Sequence, residues 1–205
     1  MNFSDYLKNT FEIDEPIYLE DISFEDYSRQ KIFKELQQLI EAGELKRFSR
    51  GIYYLFEKTK WGDSFPNIYD IITRRFITDG YEIYGYISGF SLWNQSGLST
   101  QVPPFLEVSS NNESTRVRDI YIGSQRIKAR KSRTKINKEN VNALQLLDLM
   151  SIITASNLDK HEKWALKQFI KESGATKEKV MENVKYFPSK ANLNLIESGA
   201  IYELA

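Results

Sequence analysis

The stretch from Asp26 to Phe56 changes its hydrophobic period once, and this change restricts the fold more than any other feature of the sequence. Before the change, apolar residues recur at helical spacing, and from Leu45 onward they alternate with polar residues around an Arg50-Gly51 pair. The helical stripe consists of Ile32, Phe33, Leu36, Leu39 and Ile40. The pattern predicts an amphipathic helix followed directly by a two-stranded β-hairpin.

Hydrogen-bond donors occupy the predicted helix face opposite this stripe, and cations occupy the hairpin. The helix donors are Tyr27, Gln30, Lys31, Lys34 and Gln38, and the hairpin cations are Lys46, Arg47 and Arg50. Solvation alone explains a polar helix face in most proteins. Here, however, the upstream segment YLEDIS can form a preceding helix. The resulting order of elements, a helix, a turn, a second helix and a cationic hairpin, is that of a winged helix-turn-helix. The sequence therefore predicts double-stranded DNA binding, with the second helix in the major groove and the hairpin along the phosphates.

Charge is balanced over the whole chain but uneven along it. The 28 basic and 28 acidic residues give a formal net charge of +0, which excludes a chain-wide basic coat of the histone type. Residues 1–26 are strongly acidic, residues 29–60 are basic on balance, and residues 126–138 contain cations and no acid. Polyanion binding is therefore expected of local segments rather than of the chain as a whole.

Composition also indicates a compartment. Cysteine is absent, which excludes disulfides and thiolate chemistry and fits a reducing environment. The N-terminal stretch is acidic and has no apolar core of a signal peptide, and no apolar run approaches the roughly 20 residues that span a bilayer. We expect a cytoplasmic protein with no membrane partner.

The remaining sequence predicts an α+β fold in three parts. Residues 57–66 are polar, contain Gly and Pro, and are typical of a linker. Strand patterns joined by a Gly123-Ser124 turn and a helix pattern follow, and the chain ends in three helix patterns bounded by capping residues, Gly or Pro. The expected parts are a winged helix-turn-helix at 1–60, a mixed α+β domain at 61–155 and a helical C-terminal segment at 156–205.

The acid-free run RIKARKSRTK is a second candidate for nucleic-acid binding. As a strand it places Arg126, Lys128 and Arg130 on one face, and Ile127 and Ala129 on the other. A second nucleic-acid surface and a solvated edge strand protected by cations explain this pattern equally well.

Two blocks of the sequence resemble one family in the same order. The run LQQLIEAGELKRFSRGIYYL resembles the end of the N-terminal winged-helix domain of AbiEi-type antitoxins, and YGYISGFSLWNQSGLSTQVPPFLEVSSN resembles the block that follows in them. Together these blocks cover roughly Tyr18 to Asn112. The resemblance implies a repressor of its own promoter that also opposes a nucleotidyltransferase-like toxin. A stand-alone regulator without a toxin partner is the alternative.

The residues needed for common catalytic sites are scarce. His161 is the only histidine, and without cysteine a zinc site would need an unusual all-carboxylate shell. No glycine-rich phosphate-binding loop occurs. The remaining enzymatic alternative is a metal-dependent nuclease using Glu107 and Asp119 on predicted strands, although FLEVSS lacks the companion lysine that such a site would need. We expect a protein without catalytic residues, bound metal or cofactor.

Overall fold

The computed structural model describes residues 1–204 and has a mixed α+β architecture. The chain divides into two compact units, Met1–Ile71 and the part that begins at Ile72. The helix α3, Ile68–Phe76, includes this point of division. Each unit has its own hydrophobic core, which is the usual basis for treating such parts as separate folding units.

The first unit packs two helices against a small antiparallel sheet. Its helices are α1, Phe3–Thr10, and α2, Arg29–Glu41, and its strands are β1, Ile17–Tyr18, β2, Lys46–Ser49, and β3, Ile52–Tyr54. The strand order is β1-β3-β2. Leu7, Ile17, Leu36, Leu45 and Tyr53 are almost fully buried and form the centre of the core. The apolar stripe of α2 thus holds this helix against the sheet, as its spacing predicts.

The segment YLEDIS does not form the helix that the sequence predicted before α2. Tyr18 ends β1 opposite Ile52, and the backbone N–H of Leu19 donates to the carbonyl of Gly51 at 2.9 Å. The residues that follow form turns. The backbone of this segment is therefore paired with the hairpin, and the helix that precedes the sheet is α1, which the sequence reading missed.

A second hairpin replaces the linker that was expected at residues 57–66. It consists of β4, Lys58–Thr59, and β5, Gly62–Asp63. The hydroxyl of Thr59 donates to the carbonyl of Gly62 at 2.6 Å and closes the turn, which leaves Trp61 87% exposed. This segment is ordered by its own turn and belongs to the first unit.

The second unit is built on a four-stranded sheet of order β6-β7-β9-β8. Its strands are β6, Gly85–Ile87, β7, Leu106–Ser110, β8, Arg118–Ile122, and β9, Gln125–Lys131. The pair β7–β9 is parallel and the other pairs are antiparallel. The predicted strands and their Gly123-Ser124 turn are confirmed. The strand β9 lies inside the sheet, which excludes the solvated edge strand, one of the two alternatives for the run RIKARKSRTK.

The buried helix α5, Val141–Ile152, is central to the core of the second unit. The other helices are α4, Gly89–Gln95, α6, Lys160–Ser173, α7, Lys177–Asn183, and α8, Ser189–Glu197. α5 packs against α4, α7, α8 and β6. The buried side chain of Asn194 on α8 donates to the carbonyls of Met150 and Ile153 at 2.8 and 2.9 Å, so its amide satisfies the end of α5. The predicted C-terminal helices are confirmed and share this core.

No helix within residues 1–204 combines the length and the apolar character that crossing a membrane requires.

Candidate nucleic-acid interface

The packing of α2 leaves one face of this helix directed to solvent. Its start is capped by the hydroxyl of Ser28, which accepts from the backbone N–H of Lys31 at 3.3 Å. Ile32 and Leu36 are buried in the core of the first unit. Because these residues fix the rotation of the helix, the opposite side is directed away from the core.

Four of the five predicted helix donors are exposed together on that side. They are Gln30, Lys31, Lys34 and Gln38, and we call them the donor face. Within residues 1–204, neither Lys31 nor Lys34 forms an ion pair with a carboxylate. The ammonium of Lys31 lies 3.4 Å from the centre of the Tyr27 ring, which holds the cation at the edge of the face. The donor face therefore presents two ammonium groups without an ion pair among residues 1–204, together with two amides.

Tyr27, the fifth predicted donor, belongs to the core rather than to this face. Its ring stacks on Phe3, with centres 6.1 Å apart, and meets Phe24 edge-on at 5.0 Å. The side chain is half-buried, and Phe3 and Phe24 are buried. The structure corrects the placement of Tyr27 because aromatic packing between α1 and the start of α2 takes up its ring.

The first hairpin, β2–β3, carries its exposed cations at and near the turn. Residues 50 and 51 form that turn between Ser49 and Ile52, and Gly51 has a φ of +79°, which a residue with a Cβ adopts only with strain. Arg50 is exposed in the turn, and within residues 1–204 its guanidinium has no ion pair. Arg47 is exposed on β2, and its Nε donates to the carbonyl of Ser49 at 3.1 Å. Both guanidinium groups are therefore exposed, and neither has an ion pair in the part of the chain that the structure describes.

Lys46, the third hairpin cation, is engaged by the second hairpin. Its ammonium forms an ion pair with the carboxylate of Asp63 and lies 4.6 Å from the centre of the Phe56 ring. The hydrogen bond to Asp63 raises the pKa of Lys46. The charge of Lys46 is thus compensated within the protein, so this residue departs from its predicted role as a free phosphate contact.

The second basic surface is also largely compensated. Arg126, Lys128 and Arg130 do share one face of β9, with Ile127 and Ala129 buried on the other, as predicted. Arg126, however, donates to Asp119 at 3.0 Å, and Arg130 pairs with the buried carboxylate of Asp148 and donates to Ser109 at 2.9 Å. The ammonium of Lys128 lies 4.2 Å from the Phe105 ring. Acids supplied by β8 and α5 neutralise two of the three cations, which weakens the case for a second nucleic-acid surface.

The two candidate nuclease carboxylates lie on either side of Lys128. The register pairs Glu107 of β7 and Asp119 of β8 with this lysine from opposite sides, so β9 supplies the lysine that FLEVSS lacks. Both carboxylates are already engaged: Glu107 accepts from the backbone N–H of Phe90, and Asp119 accepts from Arg126, which lowers the pKa of Asp119. In residues 1–204 no three His, Cys, Asp or Glu side chains are grouped to hold a metal ion.

Sequence reasoning missed exposed aromatic residues of the first unit, among them Phe33 and Trp61. Phe33 was assigned to the apolar stripe of α2 but is 45% exposed, and Trp61 was assigned to a linker. The helical spacing of Phe33 could have located it, because it lies about 100° from the buried Ile32 on the wheel, near the limit of the buried stripe. For Trp61, the available indication of a turn was Gly62, the residue that follows it in the sequence.

Comparison with known families identifies a family that matches most of the chain. The profile of DUF6088, described as a family of unknown function, matches residues 16–179, which is four-fifths of the chain and covers α2, both hairpins and the whole sheet of the second unit. No curated protein matches the sequence.

Proposed function

The chain belongs to the DUF6088 family, and we propose from the geometry of its first unit that it is a sequence-specific double-stranded DNA-binding protein that represses a promoter. The observation that carries this proposal is that one compact unit contains both the exposed donor face and the exposed Arg47 and Arg50. Uncompensated cations beside groups that can read base edges are what DNA recognition requires.

The order of elements supports a winged helix-turn-helix for this unit. Helix, strand, helix and hairpin follow one another, and β1 pairs with β3 at the side opposite β2. In such an arrangement α2 is the helix that enters the major groove, where Gln30, Lys34 and Gln38 would meet base edges. The first hairpin then lies along the phosphates, which suits the exposed guanidinium groups of Arg47 and Arg50. The segment 19–28, with its turns, takes the place of the first helix of the motif.

The proposal is tested on the full chain with a duplex enriched from a random pool. Mobility-shift titrations should show binding that weakens steeply between about 50 and 200 mM salt, because phosphate contacts release counterions. Lys34→Ala should lose affinity, whereas Lys131→Ala, an exposed cation of β9 in the second unit, should not. Failure of the wild-type chain to enrich any duplex would refute the proposal.

We further propose that the protein is the antitoxin of a toxin–antitoxin pair, autoregulating its promoter through the winged helix and opposing a nucleotidyltransferase-like toxin through its C-terminal region. This proposal is supported by the resemblance to AbiEi-type antitoxins over roughly Tyr18 to Asn112. The Arg47→Ala/Arg50→Ala variant provides the test, because it should derepress the promoter yet still protect cells in which the neighbouring gene is expressed. A neighbouring gene without toxicity would favour the stand-alone regulator.

A further inference from the structure

Phe33 is an exposed aromatic residue of α2 that lies at the margin between the buried stripe and the donor face. Its side chain is 45% exposed, although Ile32 beside it in sequence is buried. The partly buried residues that pack against the core of the first unit are Tyr6, Phe11, Leu19, Tyr27, Leu39 and Ile40, and Phe33 is not among them. Phe33 is thus the exposed member of the predicted stripe, whose other residues are buried or partly buried.

The neighbours of Phe33 distinguish it from the scattered apolar residues that protein surfaces ordinarily show. Gln30 precedes Phe33 by one helical turn and Gln37 follows it by one turn, so the side chains of both glutamines are direct neighbours of the ring on the helix surface. Gln30 and Lys34 are neighbours on the helix surface for the same reason. The ring thus lies at the margin of a face that otherwise offers amides and ammonium groups.

We infer that Phe33 is a specificity-determining residue that contacts the 5-methyl group of thymine in the major groove. This inference rests on the proposed DNA binding by α2 and adds to it the class of base pair that is recognised. The thymine methyl is the one apolar group that base pairs present in the major groove, and phenylalanine is among the residues that meet it. Gln30 beside it has the amide that pairs with adenine, so the two residues together fit a site containing A·T pairs.

The expected loss of DNA affinity follows from the chemistry of the contact between Phe33 and the thymine methyl group. Removing one methyl from a buried apolar contact weakens binding by about fourfold, as expected for one carbon kept from water. Replacing thymine by uracil removes this methyl and leaves the Watson–Crick edge unchanged. If Phe33 makes this contact, replacing thymine by uracil should lower the DNA affinity of the wild-type chain. This loss of affinity should depend on the presence of the Phe33 ring.

The experiment uses the full chain and a duplex enriched by it from a random pool, prepared with thymine or with uracil at each T. Wild-type chain should bind the uracil duplex about fourfold more weakly for each contacted methyl. Phe33→Ala should bind both duplexes equally, and Phe33→Leu should retain part of the difference. Glu41→Ala changes an exposed residue on the same side of α2 and should retain all of it. Circular dichroism melting of each variant confirms that it is folded.

Other outcomes overturn the inference. If the wild-type chain binds thymine and uracil duplexes equally, or if Phe33→Ala remains as sensitive to uracil as wild type, Phe33 does not read the methyl group. If Phe33→Ala changes the mass of the free chain in light scattering, the ring serves contact between copies of the protein instead. Failure to enrich any duplex would refute DNA binding itself, and with it this inference.

Discussion

The ammonium of Lys46 forms an ion pair with the carboxylate of Asp63, and this pair joins the first hairpin to the second. Both side chains are more than a third exposed, so the pair contributes little to folding stability. The main consequence of the pair is electrostatic, because Asp63 neutralises a cation at the base of the hairpin that carries the exposed Arg47 and Arg50.

Asp63→Asn should therefore strengthen DNA binding. The substitution leaves the ammonium of Lys46 free for a phosphate and should steepen the dependence of log K on log salt by about 0.9. Glu57→Gln removes an exposed acid outside this pair and serves as the control for a general change of charge. An equal effect of the two substitutions in fluorescence-anisotropy titrations would show that the pairing of Lys46 is irrelevant to DNA.

A division of roles between α2 and the first hairpin gives a second prediction. Gln38→Ala or Lys34→Ala should reduce the preference for the enriched duplex over random DNA by about 1–3 kcal/mol, because a base contact is lost. Arg50→Ala should weaken both DNAs about equally, because a phosphate contact carries no sequence information. Competition titrations measure both quantities. Loss of preference in Arg50→Ala alone would identify the hairpin as the reader.

The corrected position of Tyr27 gives a third prediction. Tyr27→Phe should leave the free energy of unfolding and the DNA affinity unchanged, since the ring rather than the hydroxyl makes the observed contacts. Tyr27→Ala should lower the free energy of unfolding by about 1–3 kcal/mol, because two ring contacts are lost. Urea denaturation measures this difference. If Tyr27→Phe lost affinity while remaining stable, the hydroxyl would belong to the interface after all.

The YGYISG block has a structural explanation that can be tested at Gly85. A Cβ at this position would lie 1.8 Å from the carbonyl oxygen of Phe76 and 2.9 Å from that of Ser109. Gly85→Ala should therefore destabilise the second unit by at least about 3 kcal/mol, since backbone atoms cannot yield as a flexible side chain can. Gly80→Ala is the matched control: its φ of +94° is strained for alanine but the space around it is open, and a cost of about 1–2 kcal/mol is expected. Similar melting temperatures for the two variants would contradict this explanation.

Elements defined by local periodicity were predictable from the sequence. The stripe of α2 and the alternation around Arg50-Gly51 each lie within a short window, so the helix, the hairpin and the exposure of Gln30 and Lys34 follow from spacing alone. The same holds for β8, β9 and the turn between them.

Features that depend on distant partners were not predictable. The segment after β1 is not helical because its backbone pairs with the hairpin turn, and Tyr27 is taken into an aromatic cluster with residues of α1 and the segment before α2. Arg130 lies in a run of sequence that contains no acid, but Asp148 on the following helix α5 neutralises its charge. Lys46 is compensated in the same way by Asp63 of the second hairpin. Charge read along a segment therefore overestimates charge on a surface whenever another element supplies the acid.

The central claim is that α2 and the first hairpin of the intact protein bind duplex DNA. Its most direct test is the slope of log K against log salt for the full chain on an enriched duplex, measured by fluorescence anisotropy for wild type and for Arg47→Ala/Arg50→Ala. Log K of wild type should fall linearly with log salt, and the slope should be shallower by about 1.8 for the double variant, since two phosphate contacts are lost. Equal slopes for the two proteins, or no wild-type binding at low salt, would contradict it.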